Sequence, residues 1–143
     1  MNVDISAWLE CLQANGYRLT APRRAVIEII AHSQQVLSPL EVYEITRTRY
    51  PRLGLVTVYR TFEKLEELEL IQRVHQASGC HAFVATASGH KHPIICQRCG
   101  KVEFLDGDKI DLLVSPDVVE KGYQIQDHWL QLFGICADCR RKP

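Results

Sequence analysis

The stretch Gly54-Leu-Val-Thr-Val-Tyr-Arg-Thr-Phe-Glu-Lys-Leu-Glu-Glu-Leu-Glu-Leu-Ile-Gln-Arg-Val-His75 changes its hydrophobic period partway along. From about Thr57 to Glu69, Val58, Phe62, Leu65 and Leu68 recur at helical spacing, which leaves Tyr59, Arg60, Glu63 and Lys64 on the outer side. From Leu70 to His75, and again from Cys80 to Ala85, short strands are expected, joined by the hairpin-like loop Gln76-Ala77-Ser78-Gly79. A helix that runs directly into a hairpin is the second half of a winged helix-turn-helix.

The residues upstream supply the other helices. Ile5, Trp8, Leu9 and Leu12 share one face of a helix that Gly16 ends. Thr20 is placed to cap a second helix, with Pro22 in its first turn and Val26, Ile27, Ile29 and Ile30 as its buried face. Ser38-Pro39-Leu40-Glu41 spells a capping box with proline at the first helical position. It opens a third helix with Leu40, Val42, Tyr43 and Ile45 as core candidates, and Pro51 and Gly54 break the chain after it. Ala85 to Gly89 is small and polar and reads as a hinge. Beyond it we expect strands at Pro93–Cys96 and Lys101–Leu105, a helix from Asp108 to Glu120, and a strand from Tyr123 to Gly134.

The second half also carries the metal chemistry. Cys96-Gln-Arg-Cys99 and Cys136-Ala-Asp-Cys139 each place two thiols at the ends of a tight turn, and 36 residues lie between them. Four thiolates suit tetrahedral zinc and leave no open position for catalysis. A unit of about fifty residues buries little core, so a structural ion is a reasonable staple. The competing reading is two local disulfides or a redox motif. It has no use for the neighbouring His90, His92 and His128, and a cytosolic chain keeps its thiols reduced.

The 143 residues allow one domain or two small ones, 46% of them apolar and 24% charged. No apolar run reaches membrane-spanning length, and the N-terminus lacks the regions of a signal peptide, so a cytoplasmic protein is expected. The formal net charge of zero argues against indiscriminate nucleic-acid binding. Between Tyr17 and Arg60, however, Arg18, Arg23, Arg24, Arg47, Arg49, Arg52 and Arg60 face only Glu28, Glu41 and Glu44. A local basic surface on a neutral protein fits a DNA reader; a merely solvated face is the alternative.

Four stretches together resemble the ferric uptake regulator superfamily of dimeric, metal-responsive transcription factors. They are Arg18-Leu-Thr-Ala-Pro-Arg23, Gly54-Leu-Val-Thr-Val-Tyr-Arg-Thr61, Gly89-His-Lys-His-Pro-Ile-Ile-Cys-Gln-Arg-Cys-Gly-Lys-Val102, and His128 through Cys139. The resemblance spans nearly the whole chain. It implies an α+β protein, with an N-terminal winged helix-turn-helix over 1–85 and a small α/β dimerisation domain over 86–143. Among its implied DNA contacts, Arg60 reads a guanine edge, Tyr59 packs on a thymine methyl and Arg18 reaches the minor groove. Arg23, Arg24 and Thr57 meet phosphates.

The same resemblance implies structural zinc on Cys96, Cys99, Cys136 and Cys139, and a second metal site of His90, His92, Asp111 and His128. Three imidazoles and a carboxylate suit zinc, iron(II) or manganese. The alternative is that two or three of these histidines are surface residues without an ion. The chain departs from the family pattern at Lys91 and Pro93, which stand where many members have ligands. Cys80-His81, with an acid such as Glu103 or Glu69, offers a replacement sensor site. A thiolate there would favour zinc, as in the zinc uptake regulator branch; a small buried residue is the other reading of Cys80.

The function implied is a homodimeric, metal-dependent repressor that binds double-stranded operator DNA and controls metal-uptake genes, with zinc or iron as effector. A peroxide sensor of the same family is the nearest alternative, and a metal-binding module that never touches DNA is another. A zinc hydrolase or deaminase needs an open coordination position and a positioned glutamate, which His90-Lys91-His92 lacks.

Overall fold

The computed structural model describes residues 3–75, 81–107, 120–124, 126 and 128–142. They fall into two compact units, Met1–Thr86 and Ala87–Pro143.

The first unit is built on four helices. In α1 (Ile5–Ala14), the Asp4 carboxylate accepts from the Ser6 and Ala7 amides at 3.0 and 3.3 Å, and Trp8, Leu9 and Leu12 are buried. Thr20 occupies the N-cap of α2 (Ala21–His32), but its hydroxyl makes no capping bond. The capping box of α3 (Pro39–Arg47) is formed: Ser38 Oγ accepts from the Glu41 amide at 3.3 Å, and Glu41 Oε2 accepts from the Ser38 amide at 2.7 Å.

Two expected core residues of α3 are not core. Leu40 and Ile45 are each about half exposed, at 50% and 51%. The buried stripe is Pro39, Val42 and Thr46, spaced three and four apart. Thr46 qualifies because its hydroxyl donates to the Val42 carbonyl at 2.7 Å, so its polar atom is satisfied inside the helix.

Helix α4 spans Leu55–Glu67, beginning two residues before the expected start, with Gly54 at its N-cap. Val58, Thr61, Phe62 and Leu65 are buried. The helix ends before Glu69 through a Schellman turn. The Leu70 amide donates to the Leu65 carbonyl and the Glu69 amide to that of Glu66, both at 2.9 Å, while Glu69 takes φ of 56°. The chain then enters β1 (Ile71–His75), which pairs antiparallel with β2 (His81–Ala85) in the register Ile71↔Ala85 to His75↔His81. Leu37 bridges Phe83 on the other side of β2 with bonds of 2.9 and 2.8 Å. Flanked on both edges, β2 is buried from Ala82 to Ala85. Phe83 packs on Phe62, ring centroids 5.1 Å apart, which fastens the wing to α4. Helices and hairpin thus form the winged helix-turn-helix.

The described residues of the second unit include a three-stranded sheet in the order β4-β3-β5, with β3 at Lys91–Cys96, β4 at Val102–Asp106 and β5 at Leu132–Gly134. β3 pairs antiparallel with β4 and parallel with β5. The strand expected from Tyr123 is much shorter. Pro93, which has no N–H, bounds the parallel ladder, and pairing with β5 begins at Ile94. A short helix, α5 (Ala137–Arg141), follows. The expected helix from Asp108, and Asp111 within it, lie outside the described residues, as does the loop from Gln76 to Cys80. No helix among the described residues is long and apolar enough to cross a membrane.

Candidate metal centres and nucleic-acid interface

The first CxxC pair sits on the turn that joins β3 to β4. The Gly100 amide donates to the Cys96 carbonyl at 2.9 Å, and Gly100 adopts φ of 73°, which folds Cys99 back toward Cys96. The second pair straddles the start of α5: Cys136 is its N-cap and Cys139 lies one turn on, buried. The parallel β3–β5 ladder brings the pairs together, helped by the Gln97 amide donating to the Gly134 carbonyl at 2.8 Å. All four sulfurs lie within 4.8 Å of one another. Cys99 Sγ and Cys136 Sγ are 3.8 Å apart, the edge of a tetrahedron whose centre is about 2.3 Å from each sulfur. The set fits a zinc ion.

The thiols differ in acidity. The Cys136 amide points at Cys96 Sγ from 3.3 Å, and with further amide donation from Cys99 it lowers the Cys96 thiol to about 6. Burial, and then the neighbouring thiols, push Cys139 up to about 12. Cys96 is therefore the readier of the two to ionise and Cys139 the one that holds its proton. Arg98, inside the first turn, donates from Nη1 to the carbonyls of Cys139 at 2.6 Å and Lys142 at 3.1 Å. It satisfies carbonyls at the end of α5 and ties the two pairs together, a role the CxxC spacing does not reveal.

The histidines form a second cluster in the same unit. His90 Nε2 lies 2.9 Å from His128 Nε2, which lies 3.2 Å from His92 Nε2. The His92 ring is buried, and its Nδ1 is 3.2 Å from the Leu130 carbonyl. That bond fixes the proton on Nδ1 and leaves the Nε2 lone pair facing the other two rings. Three imidazoles converging on one point fit a divalent cation. The fourth expected member, Asp111, is outside the described residues. Sequence reasoning missed Gly107, whose amide donates to the His90 carbonyl at 2.9 Å. A Cβ there would sit 2.7 Å from His90 Cγ.

The expected replacement sensor site falls partly outside the described residues. Cys80 lies outside them, His81 is exposed on β2, and Glu103 Oε1 pairs with Lys101 Nζ at 2.8 Å. At the departures from the expected ligand pattern, Lys91 Nζ pairs with Asp106 Oδ1 at 2.7 Å across the β3–β4 hairpin, and Pro93 is buried.

In the first unit, α4 presents Val56, Tyr59 and Arg60 outward, with Tyr59 47% exposed. Arg60 makes no ion pair among the described residues, so its guanidinium is available. Arg23 lies over the Tyr17 ring, 4.9 Å from its centroid, and donates from Nη1 to the Arg18 carbonyl at 2.9 Å. Tyr17 in turn shares a 2.6 Å hydrogen bond with Thr61 of α4. The loop bearing Arg18 is thereby braced against the helix bearing Tyr59 and Arg60. Arg18, Arg23 and Thr57 line one cleft.

Known proteins resemble this chain along most of its length. The Ferric uptake regulator family matches residues 14–133. The ferric uptake regulation protein of Cupriavidus metallidurans is 35% identical over 132 residues, covering 90% of this chain and 92% of that protein. That of Neisseria meningitidis is 30% identical over 132 residues, covering 92% of each. The structure of the Helicobacter pylori ferric uptake regulator superposes with a TM-score of 0.75 at 22% identity, over 99% of this chain and 97% of that one, a likeness of fold. With the family matched over most of its length, the chain belongs to the ferric uptake regulator family.

Proposed function

We propose that this protein is a cytoplasmic, homodimeric repressor that binds operator DNA when a divalent cation occupies the His90, His92 and His128 cluster, and so controls genes of metal uptake. Membership of the family makes it a metal-responsive transcriptional regulator. The observation that carries the finer reading is the convergence of three Nε2 atoms within the unit that also gathers four thiols. One cluster has a full thiolate shell and suits a permanent zinc ion. The other has three imidazoles and suits an exchangeable zinc, iron(II) or manganese ion.

In this reading residues 1–85 read DNA, and 86–143 hold metal and dimerise. The three histidines come from two segments, His90 and His92 around the start of β3 and His128 before β5. Holding one cation together requires those segments to keep one relative position, so the order of the second unit depends on occupancy. If that order favours the DNA-competent dimer, DNA must tighten metal binding by the same factor that metal tightens DNA binding. On the DNA side, Arg60 can bond a guanine edge and Tyr59 can pack on a thymine methyl, while Arg18, Arg23 and Thr57 meet the minor groove and backbone.

The test is the double substitution Tyr59→Ala with Arg60→Ala in the metal-loaded protein. Loss of sequence preference with metal content unchanged supports a repressor. Unchanged DNA affinity and preference would instead leave a metal-binding module.

A further inference from the structure

The cleft that holds Arg18, Arg23 and Thr57 has a second wall. It encloses about 650 Å³, and its far side is the turn between α3 and α4, which contributes Arg49 and Arg52. No aspartate or glutamate lines it. Five cations elsewhere stand beside acids: Lys64 with Glu67, Arg73 with Glu66, Lys91 with Asp106, Lys101 with Glu103 and Arg141 with Asp138. The four arginines of the cleft make no such pair among the described residues. Two of them are nevertheless positioned. Arg23 lies over Tyr17, and the Arg49 guanidinium lies over the Tyr50 ring, 5.6 Å from its centroid. An aromatic face steadies a guanidinium without neutralising it.

A concave surface with four uncompensated guanidiniums attracts a polyanion whose charges are spaced along a line. We propose that Arg49 and Arg52 are DNA-backbone contacts, closing over a stretch of phosphates from the side opposite Arg18 and Arg23, so that the cleft grips one strand's backbone at the mouth of α4. The inference rests on the DNA-reading function above and adds to it two residues that carry affinity without sequence information. Phosphate contacts fix register on the duplex and are paid back in released counterions, so their signature is the salt dependence of binding.

The experiment compares the metal-loaded wild type with Arg49→Gln/Arg52→Gln and Arg49→Lys/Arg52→Lys. Affinity is measured across a salt series, on a duplex selected from a random pool and on a random-sequence duplex. The glutamine pair is expected to lower the slope of log affinity against log salt by about two and to weaken both duplexes by the same factor. The lysine pair is expected to restore most of the slope. An unchanged slope in the glutamine pair, with wild type binding normally, would overturn the assignment of these two residues alone. Wild type that binds neither duplex would overturn the DNA-reading function and this inference with it.

Discussion

Gly107 and His90 are in mutual contact: a Cβ on residue 107 would lie 2.7 Å from His90 Cγ and 2.8 Å from Nδ1. Both distances are below any normal carbon contact, and the obstacle is a ring whose other edge faces His128. Gly107→Ala therefore has to move His90 or the hairpin. The expected result is a loss of about tenfold or more in affinity for the exchangeable ion, the size seen when groups that orient a ligand are changed. The tightly held zinc should be unaffected. Competition with a chromophoric chelator measures both.

Replacing Cys139 removes a buried member of the thiol cluster. Cys139→Ala should abolish retention of the tightly held ion and, because metal binding and folding are one equilibrium in small sites, unfold much of the second unit. Native mass spectrometry reports the ion. Amide hydrogen exchange should show β3 and β5 losing protection while α2 and α4 keep theirs.

Zinc and protons compete for the same sulfurs, and the direction follows from the two shifted thiols. Cys139, pushed up to about 12, keeps its proton throughout the neutral range, so binding must expel it and affinity rises with pH. Cys96, lowered to about 6, is already a thiolate above that pH and costs no proton there. Below about 6 it is protonated and a further proton must leave. The slope of log affinity against pH should therefore steepen by about one as pH falls through 6. Calorimetric zinc titrations in buffers of different ionisation enthalpy count the protons directly.

Glu69 holds φ of 56° at the end of α4, a conformation that glycine adopts without a steric penalty. Glu69→Gly should raise stability by about 0.5–1 kcal/mol, the relief of left-handed strain less the greater freedom of glycine in the unfolded chain. Denaturant melts of the metal-loaded protein are the check.

The parts legible in the sequence were those written in local patterns. The capping box at Ser38, the period of α4 and the CxxC turns each depend on residues within a few positions of one another. What the sequence concealed came from distant contacts or from residues that act against type. Thr46 is core because its hydroxyl bonds within the helix, whereas Leu40 and Ile45 are exposed although apolar. The end of α4 at Glu67, short of the expected Glu69, is concealed because a glutamate holds the position where glycine is the usual signal. Gly107 and Arg98 matter only because β4 and α5 fold back to their partners. His90, His92 and His128 could be named from the chain, but the lone pair of His92 is directed by Leu130, 38 positions away.

In the proposed function an exchangeable ion controls DNA binding while a second, tightly held ion does not. The most direct test is metal content per chain before and after mild chelation, with DNA affinity measured on each sample at one stated salt concentration. The expected result is one resistant zinc, one removable ion, and a loss of DNA affinity that zinc, iron(II) or manganese restores on titration. A sample that retains only the resistant zinc yet binds DNA with undiminished affinity, and ignores added metal, would contradict it.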